Sequence, residues 1–306
     1  MKISDNVLNH YLQTSMYTYL GPYEEFAKNL PDDIEKLCAL QKMQTIHPQI
    51  FLMDPMIMQD NDNFYGDMTQ IPIDRLNCEE DIFPTAISMF AELLRRDSNY
   101  SVNREAKNKI HILCRGNALM LASTLKAKNI PARVRVGWAK YHYNTGLCDD
   151  QWNVEYYDLE TNQWIMVDSS GIGGNSTIPN KMINIPKDKF LTAADAWLGI
   201  RQGTLDKGTK IMVLDGHKNI QAAWIGLMND FNCLMNNEYP VIFEPKYILV
   251  KEDKKWEQRG FTDKEFEELD LIAKLMQEPD KNLEKLQHIW NKKPKFKQLL
   301  GISSWN

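Results

Sequence analysis

The run CRGNALMLASTLKAKNIPARVRVGWA, residues 114–139, constrains this chain more than any other. Its first half is apolar at helical spacing and ends near Asn129. Pro131 then leads into an extended segment in which Ala132, Val134, Val136 and Trp138 alternate with Arg133 and Arg135, the pattern of a half-buried strand. A second run, CDDQWNVEYYDLETNQWIMVDSS at 148–170, reads as two strands, 152–158 and 163–168, about a turn at 159–162. A helix that feeds directly into antiparallel strands predicts an α+β class.

The flanks are helical. PDDIEKLCALQKMQTIH, 31–47, opens with Pro31 and two acids, and Ile34, Leu37, Cys38, Leu40, Gln41 and Met43 give it an apolar face. In DIFPTAISMFAELLRRD, 81–97, Ala86, Met89, Phe90, Leu93 and Leu94 recur at core-helix spacing. Thr262 and Glu265 form a capping-box pattern ahead of Phe266, Leu269, Ile272, Ala273 and Met276, whereas GIGGNSTIPN, 171–180, reads as a loop. With no Pro/Gly/Ser linker, 1–306 is read as one domain: a core at 104–170, a helical part at 1–103 and an extension at 171–306.

A formal charge of -5, without a basic stripe, argues against nucleic acid as a partner. The N-terminus lacks the apolar run of a signal peptide and nothing approaches the ~20 apolar residues of a membrane span, so no membrane partner and a cytoplasmic location are expected. The five cysteines, Cys38, Cys78, Cys114, Cys148 and Cys233, show no CxxC or Cys/His clustering, which predicts neither a disulfide framework nor a bound metal, and no cofactor is implied.

Cys114 falls where a loop becomes a helix. A helix N-terminus favours thiolate, Arg115 adds a cation, and free N–H groups there suit an oxyanion, so an activated thiol is expected. If the hairpin turn is centred at 159–162, residue 158 faces 163 and 153 faces 168. Gln151, Asn153 and Glu155 then share a face with Met166 and Asp168, and Gln151 is a diagonal neighbour of Asp168.

The Cys114 run, DDQWNVEYY and QWIMVDSS together resemble the transglutaminase-like superfamily, the papain-type fold with Cys at a helix start, His at a strand start and Asp on the next strand. A bacterial subgroup whose second motif reads Asp-His-Trp is more similar still. LPDDIEKLCALQKMQTIHP, IPKDKFLTAADAW and WIGLMNDFNCLMNNE extend the likeness over most of the chain. The resemblance implies a Cys-bearing helix packed on an antiparallel sheet, with the nucleophile on Cys114 and the orienting acid on Asp168. The family histidine falls on Gln151, flanked by Trp152 and Glu155 as the motif requires.

A carboxamide has no basic lone pair and cannot take a thiol proton near neutral pH. Amide cleavage needs that proton moved; a thioester donor needs it less, because its leaving group is itself a thiolate. The expectation is therefore a cysteine acyltransferase with a catalytic set of Cys114, Gln151 and Asp168. It would form an amide from a small-molecule or carrier-protein-bound acyl thioester and an amine, a chemistry that the resemblance connects with secondary-metabolite assembly. Asp168 would accept from the Gln151 NH2 group, with Trp152, Arg115 and His142 as substrate-binding residues. Three alternatives stay open: a peptidase, amidase or transglutaminase whose base is restored by His142 or by His111; a non-catalytic binding protein; and a histidine-to-glutamine variant of an ordinary enzyme. His47 matches the subgroup and is read as packing. Trp138, Tyr141, Tyr143, Trp152 and Trp164 are read either as the lining of an acyl cleft or as sheet packing.

Overall fold

Four helices precede the core among the described residues: α1 (Asp5–Leu12), α2 (Glu24–Lys28), α3 (Ile34–Lys42) and α4 (Ala86–Arg96), as seen in a computed structural model that describes residues 3–52, 65–142, 147–170, 183–212, 219–240 and 262–297. The Asp33 side chain caps α3 by accepting from the Lys36 N–H at 2.8 Å, and the helix buries Leu37, Cys38 and Gln41. It ends sooner than its apolar pattern predicts. Thr45 and Ile46 leave it as strand β1 (Thr45–Ile46), which pairs in parallel with β2 (Ile110–His111) just ahead of Cys114. α4 starts from a capping box between Thr85 and Ser88 and buries Ala86, Met89, Phe90 and Leu93.

α5 (Cys114–Ala127) is buried at every one of its 14 positions. It ends at Lys128, after which Asn129 takes a positive φ of 59° and Ile130 bonds back to the Leu125 carbonyl at 2.9 Å. The chain then enters β3 (Ala132–Ala139), β4 (Leu147–Asp158) and β5 (Gln163–Val167), later joined by β6 (Phe190–Thr192). These strands pair in the order β5-β4-β3-β6, all antiparallel. The hairpin register is as the alternation predicts, running from Asp158 opposite Gln163 to Val154 opposite Val167. β4 is longer than expected at its start, so Gln151 lies inside a strand and not at the head of one. α5 covers one face of the sheet, packing Ala118, Leu121 and Leu125 in a common core with Val134, Val136, Trp152, Val154 and Val167.

The other face is not solvated, and here the half-buried reading of β3 is corrected: all eight of its residues are buried. α6 (Ala193–Gln202), β7 (Lys210–Met212), α7 (Ile220–Leu234), α8 (Asp263–Met276) and α9 (Pro279–Lys292) follow, and α6, α7 and α8 build a second core around Trp138, Trp197 and Trp224. The arginines enter the interior because carboxylates meet them there. Arg135 forms a two-bonded fork with Asp230 of α7, both bonds at 2.9 Å, and reaches Glu155 at 3.0 Å. Arg133 joins Glu155 at 2.7 Å and Asp280 of α9 at 2.6 Å, with its guanidinium 4.1 Å from the Trp164 ring centroid. Despite its burial, the Glu155 carboxyl is drawn down to about 2 by these two cations. The capping box at Thr262 and Glu265 forms as predicted. The expected loop at 171–180 lies outside the described residues. Among the described residues no helix is long and apolar enough to cross a membrane.

Candidate active site

The segment that presents Cys114 is tied down by two adjacent acids. Glu79 exchanges backbone and side-chain bonds with His111, its N–H donating to the His111 carbonyl at 2.7 Å and its carboxylate accepting the His111 N–H at 2.9 Å. Arg75 and Arg96 neutralise that carboxylate and hold its carboxyl near 2 against the opposing effect of burial. Glu80 accepts from the Leu113 N–H at 3.0 Å and from Arg115 at 2.8 Å. No side chain caps α5, and the first backbone bond of its opening turn is Asn117 N–H to the Leu113 carbonyl, so the N–H groups at the Cys114 end remain available as donors.

Among the described residues, the edge of β4 near Cys114 is open. β3 lines one edge of β4 from Ala139 opposite Asp149 to Ala132 opposite Tyr156. β5 and β7 therefore share the other edge, β5 from Val154 onward and β7 as far as Asp149, which leaves residues 150–153 between them. Trp152 faces Val136, whose N–H turns away from β4 to bond Asp230 at 2.9 Å. That is a non-hydrogen-bonded pair, so the Trp152 N–H also points outward, into the gap. From there it favours the thiolate form of Cys114.

Asp168 follows the last residue of β5 and is the hub of the polar cluster. Tyr141 O–H donates to its Oδ2 at 2.8 Å, and Ser170 donates both its O–H, at 2.6 Å, and its N–H, at 2.9 Å, to Oδ1. His142 Nε2 lies 3.8 Å from Oδ2. Gln151 reaches this hub through Ser170, not by the direct bond expected from the hairpin: its Nε2 donates to Ser170 Oγ at 2.9 Å. The polarity of this chain is fixed. Because the Ser170 proton is committed to the carboxylate, its oxygen can only accept, so the Gln151 amide must present NH2 to Ser170 and turn Oε1 the other way. The same logic orders the Tyr141 branch, where Asn153 Nδ2 donates to the phenolic oxygen at 3.2 Å. Gln151 Oε1 and Asn153 Oδ1 are both buried and have no hydrogen-bond partner among the described residues. Gly137, opposite Gln151, lets β6 approach this end of the sheet, since a Cβ there would collide with the Leu191 carbonyl and the Phe190 ring.

Two expected substrate-binding side chains are otherwise engaged. Arg115 is fully buried, and its guanidinium is spent on Glu80 and on the carbonyls of Pro84, Glu238 and Tyr239. It clamps α5 and offers no free cation to the thiol or to a ligand. Trp152 packs its indole wholly within the core under α5, and what it brings to the site is a backbone N–H. His142 lies beside Asp168 and edge-on to Tyr141. His111 is removed from that cluster: it is fully buried, its Nδ1 bonds the Arg75 carbonyl at 2.6 Å, and burial lowers it to about 4. Burial first lowers the His47 imidazole to about 4, with the charges of Asp168 and His142 acting after it in opposite directions. Ser170 and Asn153 were not expected as members. The signal for Ser170 was Asp-x-Ser, the spacing at which an Asp side chain accepts from the backbone two residues on.

The expectation of an activated thiol is also corrected. Burial first, then the carboxylates of Asp150, Glu80 and Asp168, hold the Cys114 thiol well above its ordinary range, and the Trp152 N–H alone works against them. A thiol so placed is protonated at neutral pH. Iodoacetamide should therefore label Cys78 first, since the other four cysteines are buried. Labelling of Cys114, followed by peptide mass mapping, should climb about tenfold per pH unit from about pH 7 to about 9 without levelling off. A plateau near neutrality would restore the activated thiolate. Among the described residues, no group of three or more His, Cys, Asp or Glu side chains is arranged to hold a metal ion.

No protein-family model matches the chain, and no curated protein matches it. Among solved structures it is similar to a candidate cysteine protease from Cytophaga hutchinsonii, at 15% identity and a TM-score of 0.32, over 63% of this chain and 50% of that one. The chain thus spans about half the length of that protein.

Proposed function

We propose that the chain is a cysteine-dependent acyltransferase of the transglutaminase-like type, which takes an acyl group from a thioester onto Cys114 and passes it to an amine. The observation that carries this reading is the hydrogen-bond polarity running from Asp168 through Ser170 to Gln151. Where the resembled motif has an imidazole, the site has a carboxamide whose Oε1, buried and without a hydrogen-bond partner among the described residues, is an acceptor. That oxygen cannot remove a proton from the thiol, but it can hold an N–H of an incoming amine.

The first step exchanges one thioester for another. The Cys114 sulfur adds to the acyl carbon, the carbon–sulfur bond of the donor breaks, and the proton lost by Cys114 ends on the leaving thiolate, so no base is consumed. The free N–H groups at the start of α5 suit the oxyanion formed on the way. In the second step the amine nitrogen adds to the same carbon while Gln151 Oε1 accepts one of its hydrogens. Cys114 then leaves as thiolate and recovers a proton from the nitrogen. The amide is released and the thiol is restored.

One observation favours a second reading. His142 beside Asp168 is an imidazole–carboxylate pair, and it would supply the base that amide hydrolysis needs. Intact-mass measurements separate the two. Wild type incubated with a panel of acyl thioesters should gain one acyl group, Cys114→Ala should gain none, and an added primary amine should discharge the adduct as an amide. If no thioester gives a Cys114-dependent adduct while peptides are cut, the transferase reading fails and hydrolysis through His142 replaces it. If neither substrate class reacts, the chain is a binding protein.

A further inference from the structure

Away from Cys114, a cleft of about 380 Å³ opens between the Tyr65–Gln70 region and the 102–109 segment, lined among others by Met43, Tyr65, Val102, Asn103 and Lys109. Lys109 is the unusual wall. Its side chain is fully buried, and its Nζ has no hydrogen-bond partner among the described residues. The Tyr65 ring lies near it, its centroid 5.8 Å from Nζ. The backbone here is rigidly held, because the Lys109 carbonyl accepts from Arg75 at 2.7 Å and from Arg96 at 2.6 Å. Neighbouring Arg104 is spent on Gln44, on the Leu93 carbonyl and on the Asp97 carbonyl, so it does not compete for a ligand.

A buried ammonium without an acceptor for any of its three N–H groups is unstable relative to the neutral amine. Burial, with the charge of Arg104 added, brings Lys109 down to about 8. Among the described residues Lys109 Nζ bonds no carboxylate; it stands instead at a cleft with the volume of a small-molecule site, where Met43, Tyr65 and Val102 supply apolar wall beside the polar Asp67, Gln70 and Glu105.

We propose that this cleft is a carbonyl-binding site in which Lys109 Nζ condenses with a small apolar aldehyde to form an imine. The amine lone pair adds to the carbonyl carbon, and a proton moves from nitrogen to oxygen to give a carbinolamine. Loss of water then leaves the carbon–nitrogen double bond. The step is reversible and needs no oxidant or reductant. Met43 and Val102 suit an aliphatic chain, and the Tyr65 face suits the cationic imine once it is protonated.

Butanal with cyanoborohydride tests this on the full chain near neutral pH, because the hydride converts the imine to a stable secondary amine that peptide mass mapping locates. Lys109 should be modified on the order of tenfold faster than the exposed Lys36 and Lys207, as its neutral fraction is far larger. Lys109→Met should lose that fast phase, keep the modification of the other two, and melt at or above the wild-type midpoint. Modification of Lys109 no faster than that of Lys36 and Lys207 overturns the proposal. So does a lowered melting midpoint in Lys109→Met, which would make the ammonium a structural group.

Discussion

Replacing Arg135 by methionine should lower the stability of the fold by about 3–5 kcal/mol, with a fall in melting midpoint of roughly 10 °C. Among the described residues Arg135 is one of two cations that enter the sheet interior, and its fork partner is the more deeply buried carboxylate. Asp230, with none of its side chain exposed, receives both bonds of the Arg135 fork and also the Val136 N–H. Truncation leaves that carboxylate buried with one backbone donor, and leaves Glu155 to Arg133 alone. The cost is the uncompensated charge, not the loss of a pair that is strong in itself. Arg135→Met combined with Asp230→Leu should therefore recover most of the loss. Urea denaturation of both variants decides it: equal destabilisation of single and double variant would mean that packing under α7, and not charge, is what Arg135 supplies.

That ion-paired layer is also where the sequence was least legible. The alternation in ARVRVGWA correctly marks a strand, but whether the arginine face is wet or buried depends on Asp230 and Asp280, which are 95 and 147 residues away from their partners. Nothing local to β3 announces them. Register, by contrast, was readable, because a hairpin turn and a period-2 pattern over-determine each other, and that placed Gln151, Asn153 and Asp168 on one face. The direct Gln151 to Asp168 bond was a reasonable reading of that face, but residues diagonally across a sheet are spaced widely enough to take an intervening hydroxyl, and Ser170 fills the position. The helix start at Cys114 was legible too. The charge around it was not, because Arg115 is drawn away to Glu80 and to carbonyls 123 and 124 residues along the chain. The cation counted next to the thiol thus belongs to the scaffold.

Asp168→Asn should change two rates in opposite directions. The carboxylate of Asp168 accepts from Tyr141 O–H, from Ser170 O–H and from Ser170 N–H, so an asparagine there must turn its NH2 toward one of the hydroxyls. If the NH2 faces Ser170, that hydroxyl becomes an acceptor toward residue 168 and its proton turns toward Gln151. Gln151 must then flip, presenting Oε1 to Ser170 and NH2 to the substrate. If it faces Tyr141, the phenol proton turns instead toward Asn153 and reverses that branch. Where the NH2 faces Ser170, an amine that needed an acceptor meets a donor, and amide formation from a preformed Cys114 acyl adduct should slow by about 10²-fold, the scale of a misplaced reacting group; where it faces Tyr141, Gln151 keeps Oε1 toward the substrate and the slowing is smaller. The thiol responds the other way. Asp168 is one of the carboxylates that hold the Cys114 thiol up, so removing its charge lets the thiol titrate at lower pH and raises the thiolate fraction near neutrality. Alkylation of Cys114 by iodoacetamide should become faster in the variant while amine transfer becomes slower. If both rates fall together, Asp168 is only holding β5 in place, and the assignment of substrate polarity to the Asp168–Ser170–Gln151 chain is wrong.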